Sequence, residues 1–500
     1  MFSLLAPISK TFPHVLAVPF TTRAVTDSLG VFLSARAVQG FLVGGCVRDA
    51  LLGSINKDID LAVEGDALAL GRELANSFHG RFVALDQIRG MARVILPGLN
   101  KLIDLAPIKG SIEADLARRD FTIDAMALPL GETTTRYWRK SIIDPLGGRG
   151  DLTHKTIRMV SNDVFTQDPV RLLRAVRLSC SLDFDIEEST ADHIVQNAHL
   201  VSRVSPERVR DEFLAILSLN RAKDSLHCLD DLGLLRHIIP ELEITRGVQQ
   251  PKEHYWDVFE HTIQTVGEVD RITSSSSRDA LSKILFGDQG LENYFTKVVS
   301  DGHNRRTMLK LGALFHDIAK PQTKAIDETG RTRFLGHPAL GASLTKDRLR
   351  SLRFSTRAVK SVCTMVEQHL RPSQMTQGVG MPTPRAIHRF FRDLGDEATS
   401  VLFLSLADYL AARGPHSDKA DWQCRVDQVW HVLNERTKTS SQGKRVRLIT
   451  GDDLIETFGL VPGPVFRTLL EGVEEAESAQ EIITRDEALT WVQIRLKDGG

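Results

Sequence analysis

Asp58 and Asp60 stand one residue apart in Asp58-Ile59-Asp60-Leu61-Ala62-Val63, and Gly44-Gly45 precedes them after the short apolar run Phe41-Leu42-Val43. Two carboxylates on one face can hold a pair of divalent cations about 4 Å apart, one activating an attacking hydroxyl and the other neutralising a leaving group. A Gly-Gly turn that opens a helix leaves backbone N–H groups free to cradle a phosphate. Nucleotidyl transfer needs that combination. Taken singly, a Gly-Gly pair is also an ordinary turn, and an Asp-x-Asp pair is also a solvated strand face.

Apolar Ile59, Leu61 and Val63 alternate with the acids, which predicts a strand carrying both carboxylates on one face. The glycines precede a helix expected over Cys46–Leu52, and Asp60 lies eleven positions after Asp49, so strand, turn, helix and second strand fit one compact unit. Gly44, Gly45 and, on that helix, Arg48 are candidate nucleotide-binding groups. A helix over Ala67–Phe78 and strands over Arg81–Leu85, Ala92–Leu96 and Leu102–Leu105 extend the region, and they place Asp104 where it could supply a third carboxylate.

Arg118-Arg119-Asp120 opens a run through Met126 whose arginines suit triphosphate oxygens through their forked donors. Asp120 and Asp124 would orient those arginines or cap the segment, and ordinary surface ion pairs fit the same residues. Asp144-Pro145-Leu146-Gly147-Gly148 reads as a turn, and the strand-rich part is expected to end near residue 152. Beyond it the pattern is helical. Asp168 and Pro169 are expected to cap and open a helix in which Arg171, Arg174 and Arg177 form a stripe opposite leucines and valines. That stripe is either a solvated face or a reader of phosphates and base edges. Ser205–Glu212 begins another charged helix, and Leu226–Leu235 reads as a short packing helix.

A second constellation follows the break at Gly247-Val248. His261, His316-Asp317, His337, His369 and Asp408 lie in largely apolar helical surroundings. Together they offer nitrogen and oxygen ligands for one or two ions such as Mg²⁺, Mn²⁺ or Fe²⁺. Residues 272–304, with a serine run and a Gly/Asp-containing stretch, read as an insertion or mobile loop. A last helical region is expected from 423 to 500, broken at Gly451-Asp452 and at Pro462-Gly463-Pro464. It carries the basic cluster Arg436, Lys438, Lys444, Arg445 and Arg447.

The 500 residues call for several domains, and 42% apolar with 25% charged residues marks ordinary globular composition. A formal net charge of −1 gives no global nucleic-acid signature, so local basic patches must carry any RNA contact. Five scattered cysteines form no metal-ligand pair and point to a reducing compartment. No run approaches the roughly 18 apolar residues of a membrane span, and no amino-terminal basic region marks a secretory signal. Residues 1–26 read as a flexible segment compatible with an organelle presequence, with the cytoplasm as the default location.

With these residues in place, Leu42–Val63, Arg118–Met126, Asp168–Leu178, and Leu448–Leu454 with Gly459–Pro464 make the chain resemble the class II tRNA nucleotidyltransferase and bacterial poly(A) polymerase family, with an HD-type phosphohydrolase domain. The resemblance implies an α+β nucleotidyltransferase-fold head over 27–152 followed by an all-α neck over 153–246, an HD-like body over 247–422 and a helical tail over 423–500. It implies that Asp58 and Asp60 bind Mg²⁺, that Asp104 is a further acid of the head assisting the acceptor hydroxyl, and that Arg118, Arg119 and Asp120 serve triphosphate binding. Asp168 and Arg171, supported by Arg174, fall where the neck reads the incoming base. The expected acceptor is a tRNA 3′ end, the substrates ATP and CTP, and the reaction full or partial CCA addition. A-only and poly(A) addition share most of these residues.

Gln167 stands where a glutamate commonly precedes the Asp, keeping an acceptor but losing a charge. The HD resemblance implies His261, His316, Asp317 and Asp408 as principal ligands, with His337 and His369 completing a binuclear site of phosphohydrolase type. A related transferase with another acceptor, and a phosphohydrolase with a decayed head, are the competing readings.

Overall fold

The computed structural model describes residues 20–54, 58–99, 101–274, 289–376, 380–416, 418–441 and 447–498. The chain forms two compact units, one ending at Val204 and the other beginning at Ser205. That division falls inside the segment expected as the neck.

The first unit is built on a six-stranded mixed sheet. In chain order it comprises helix α1 (Phe20–Ser34), β1 (Gly40–Val43), α2 (Gly45–Leu52), β2 (Asp58–Val63), α3 (Ala67–Ser77), β3 (Arg81–Asp86), β4 (Met91–Leu96), β5 (Lys101–Pro107), α4 (Ile112–Leu116) and β6 (Ala127–Pro129). The spatial order is β3-β4-β5-β2-β1-β6, with β2 and β5 parallel and every other pair antiparallel. Strand period decides which face each side chain joins. Ile59, Leu61 and Val63 point into a core shared with Leu29, Leu33, Leu70 and Leu74 of α1 and α3. α3 starts where the Asp66 carboxylate accepts from the backbone N–H of Leu68 and Ala69 at 2.9 and 3.0 Å. The opposite face carries the acids.

Beyond the sheet, Thr156–Ile157 pairs in parallel with Asp185–Ile186, so short strands continue past residue 152. Asp168 does not open a helix. It lies in extended conformation as the C-cap of Val164–Gln167, because a proline disfavours helical geometry in the residue before it. The arginine helix therefore begins at Arg171 and runs to Leu182.

The second unit is helical among the described residues, apart from two short hairpins. Its central helix, Ala398–Arg413, is buried on most sides and packs against Val258–Thr273 and Arg305–Phe315. Asp257 caps the second of these and Asn304 the third, each accepting from a first-turn N–H. His337–Ser351 and Thr356–Gln368 complete the body.

Several boundaries move. Residues 20–26 belong to α1, and residues 289–304 hold the helix Gln289–Thr296 and a small hairpin of Val298–Ser300 with His303–Asn304. Residues 1–19 and 275–288 lie outside the described residues. The segment read as one helix over 226–235 is two, Ala222–Asp231 and Leu235–Ile238, separated at Gly233. A helix, Lys419–Ser441, crosses the expected body–tail boundary. Gly451-Asp452 opens a helix, because Thr450 and Asp453 form a reciprocal capping box. The tail encloses its own core of Ile449, Leu454, Leu469, Val473 and Val492. No helix of the described residues is long and apolar enough to cross a membrane.

Candidate functional site

The parallel pairing of β2 with β5 sets Asp60 directly beside Asp104, while Asp58 lies opposite Leu102 on the same face. Burial and the charge of Asp104 push Asp60 up to about 6. Asp104 is gripped by Arg93 of β4, Nε to Oδ1 at 2.7 Å and Nη2 to Oδ2 at 2.8 Å. A raised carboxyl beside another carboxylate lacks positive charge, and that fits a divalent cation held by Asp58 and Asp60.

Gly44 is required here. Its φ is +66°, and a Cβ would come within 2.9 Å of Arg119 Nη1 and 3.9 Å of Asp60 Oδ2. The glycine turn, the arginine and the acid thus form one cradle. Arg119 reaches Asp115 only at 3.6 Å, and its Nε is buried with no hydrogen-bond partner. Gly45 is the first residue of α2.

Cys46, which carried no signal as an isolated cysteine, turns out to fix the acid strand. Its Sγ–H donates to the Asp58 carbonyl at 3.0 Å and the sulfur accepts from the Asp60 N–H at 3.1 Å. Burial and the surrounding carboxylates raise this thiol, so it stays protonated. Arg48 is occupied by two carboxylates, with Nε on Asp49 at 2.8 Å and Nη1 on Asp124 at 2.7 Å. Burial lifts Asp124 to about 6 even against that arginine. Asp120 is buried too, but the Arg174 charge and hydrogen bond, at 2.8 Å, hold it below the ordinary carboxylate value.

Arg118 binds Asp115 at 2.9 Å and the Lys109 carbonyl, and its own carbonyl accepts from Arg171 at 2.9 Å. A cavity of about 340 Å³ lies among these groups. Six cations, Arg89, Lys109, Arg118, Arg119, Arg171 and Arg174, line it against only Asp115 and Asp120. Arg89 comes from the turn between β3 and β4 and Lys109 from the loop after β5. The expected base reader Asp168 does not line this cavity. Gln167 donates to Asp163 within its own short helix.

In the second unit the six expected ligands converge. His261, His316 and Asp408 form one group, and Asp317, His337 and His369 another, each with its ligand atoms within 4.8 Å of one another. Asp317 joins them. Its Oδ2 lies 3.4 and 3.2 Å from His261 and His316, and its Oδ1 lies 3.3 and 3.8 Å from His337 and His369. Nδ1 of His316, His337 and His369 faces a backbone carbonyl, of Ala313, Phe334 and Val366, at 2.6–2.7 Å. Nδ1–H donation there turns Nε2 inward, the nitrogen that a metal ligand offers once it carries no proton.

Burial opposes charge at His316, but the carboxylates of Asp317 and Asp408 push it up to about 10. Burial takes His369 down to about 4. Lys320 joins Asp317 at 2.5 Å and Gln250 at 2.6 Å, a pair the sequence did not reveal. A cavity of about 400 Å³ adjoins the cluster, lined by Arg331, Arg333, Arg413 and Arg425 together with Phe334, Leu370, Leu402 and Val429.

A mixed sheet with a glycine cradle beside paired acids defines a nucleotidyltransferase-type head, here in a chain that also carries an HD-type histidine–aspartate centre. Family models match three parts of the chain. The poly(A) polymerase head domain matches residues 40–109 and 100–158, the probable RNA and SrmB-binding site of polymerase A matches 183–245, and the HD domain matches 283–413. The chain is 33% identical to an A-adding tRNA nucleotidyltransferase of Deinococcus radiodurans, over 90% of this chain and 94% of that protein. It is 29% identical to a CC-adding tRNA nucleotidyltransferase of Thermus thermophilus, over 91% and 93%. The chain belongs to the tRNA nucleotidyltransferase family of enzymes. A CCA-adding enzyme of Thermotoga maritima, solved with tRNA, has the same fold with a TM-score of 0.60 at 21% identity, over 95% of each chain.

Proposed function

We propose that this chain extends tRNA 3′ ends without a nucleic-acid template, adding all or part of CCA from CTP and ATP. The observation that carries this reading is the register of Asp60 with Asp104 beside the Gly44–Arg119 cradle, next to a cavity with six cations and two acids. Asp58 and Asp60 would hold Mg²⁺, which supplies activation of the RNA 3′-hydroxyl and charge neutralisation at the α-phosphate. Asp104, tied to Arg93, acts on Asp60 through its charge. Arg119 and the α2 amino terminus receive the triphosphate, and Arg118 and Asp120 brace that wall. Arg171 and Arg174, with Asp168 before them, contact the base. Arg48 positions the loop of Asp124 through its ion pair.

On this reading 27–152 is the head and 153–246 the neck, with body and tail following. Free cysteines throughout the described structure suit the cytoplasm. Arg447 lies in the described tail, whereas Lys444 and Arg445 and the side chain of Lys438 lie outside the described residues.

The test supplies tRNAs lacking CCA, CA or only the final A with CTP and ATP, singly and together, and resolves products at single-nucleotide length. Ordered completion supports full CCA addition. Extension halting after CC, or beginning only at the final A, narrows the enzyme to that part. Failure to extend any tRNA overturns the reading.

A second reading belongs to the body. His261, His316, Asp317, His337, His369 and Asp408 would bind one or two divalent ions and hydrolyse phosphoesters, including cyclic phosphates at RNA ends. The Asp317 bridge between two histidine groups carries it. Metal titration of the full chain checks it, and an intact protein binding no ion there removes it.

A further inference from the structure

We propose that residues 136–140 of the head form a docking surface for the phosphate backbone of the tRNA substrate, an inference that rests on the RNA-extending function above. Chain-wide, 63 basic residues meet 64 acidic ones, so an unselected surface mixes both signs. Between Glu132 and Asp144 there is no acid at all, while Arg136, Arg139, Lys140, Tyr137 and Trp138 occur together.

The segment is anchored. Trp138 is 3% exposed and joins the core beneath the sheet, the Thr133 hydroxyl donates to the Leu130 carbonyl at 2.8 Å, and Ser141 donates to Glu132 at 3.2 Å. The last bond also engages the carboxylate that precedes the segment. Tyr137, in contrast, is 61% exposed. Its ring centroid lies 5.9 Å from the Arg136 guanidinium and 5.3 Å from the Lys140 ammonium, and Arg139 lies 4.7 Å over the Trp138 ring.

Aromatic faces thus gather three cations that repel one another, and among the described residues none of the three is paired with a carboxylate. A polyanion with closely spaced phosphates relieves that repulsion and releases its own counterions. Tyr137 adds an exposed face against which a ribose or base can pack. The patch has no apolar helix face with which to enter a lipid surface.

The experiment uses the full chain and a tRNA lacking CCA, with binding measured by fluorescence anisotropy from low to high salt. Arg136→Ala with Lys140→Ala is expected to flatten the plot of log affinity against log salt by about 0.7–0.9 per lost phosphate contact, and to weaken binding roughly tenfold at moderate salt. Tyr137→Ala is expected to weaken binding with no change of slope. At saturating tRNA the double variant should keep the wild-type turnover and KM for CTP and ATP, since Trp138 and the cavity are untouched. Unchanged affinity and slope overturn the proposal, as does a loss seen only with anionic lipid vesicles. A wild-type chain that extends no tRNA fails the functional reading itself, which is distinguishable because that assay needs no variant.

Discussion

The head and the body both gather acids suited to divalent cations, but they do so in opposite ways. In the head, neighbouring strands bring Asp58, Asp60 and Asp104 onto one open sheet face, where arginines and a cavity adjoin them. In the body, residues far apart in the chain meet in the interior at the wall of a cavity, where His261, His316, Asp317 and His369 are at most 1% exposed. The open site leaves room for two large substrates and can exchange its charge with solvent. The closed one fixes its ligands through backbone carbonyls and admits only what fits the adjoining cavity.

The sharpest way to break this contrast is to disable one site and assay both. Asp60→Ala should lower nucleotide addition by about 10³-fold or more, a loss of several kcal/mol of transition-state stabilisation. Metal uptake by the body should stay at the wild-type level. Single-nucleotide gels with a parallel metal titration measure this, and substantial addition by the folded variant would remove Asp60 from the site.

Next in size is Asp317→Asn. It leaves a neutral amide between the two histidine groups, so ion binding in the body should fall about 10–100-fold. Phosphoester hydrolysis, if assayed alongside, should fall with it, and CTP and ATP addition should hold. Loss of nucleotide addition in a folded Asp317→Asn protein would mean that the two centres are not separable.

Cys46 offers a finer cut. Valine at this position keeps the packing but removes both sulfur hydrogen bonds to β2, each worth about 1 kcal/mol. If the thiol positions the acid strand, Cys46→Val should lower kcat about tenfold while the KM values for CTP and ATP stay put. Cys46→Ser, which keeps a donor and an acceptor, should recover most of the rate. Equal behaviour of the two variants would reduce the cysteine to a space-filler.

The same contrast governs what the sequence discloses. Asp58 and Asp60 are legible because strand period alone puts them on one face, and Asp104 is legible as a strand acid, although its place beside Asp60 comes from the parallel register of β5 with β2. From Phe41 to Leu105 the helices and strands follow from that periodicity to within about two residues, whereas α1, α4 and β6, short or irregular in pattern, do not. Arg93 and Cys46 are not legible, since one depends on antiparallel register and the other on a buried thiol finding two backbone groups. Asp168 misleads by position, because the turn of Pro169 and Val170 intervenes and the helix starts only at Arg171. In the body, the histidines declare themselves by residue type. Their convergence and the Lys320–Gln250 contact depend on helix packing that no local pattern encodes.

The smallest expected effect concerns protons. Asp60 sits at about 6 in the metal-free protein because burial and Asp104 disfavour its charge. The carboxylate is the form that binds a cation, so below about pH 6 protons compete with Mg²⁺, and above it they do not. At limiting Mg²⁺, nucleotide addition should therefore fall several-fold between pH 7 and pH 5.5, and raising Mg²⁺ should move the limb to lower pH. Asp104→Asn removes the neighbouring charge and should shift the limb to lower pH as well, provided Asp104 acts through Asp60 rather than on the acceptor hydroxyl. Stability runs the other way. A carboxyl raised above its unfolded value of 3.8 contributes stability that is complete below 3.8 and is lost as pH rises through about 6. Metal-free protein should thus gain a little in thermal midpoint from this group on acidification to pH 5, in the range where its Mg²⁺-dependent activity declines. A limb that ignores both Mg²⁺ and Asp104→Asn would assign the titration to another group and break the link between the open sheet face and its proton chemistry.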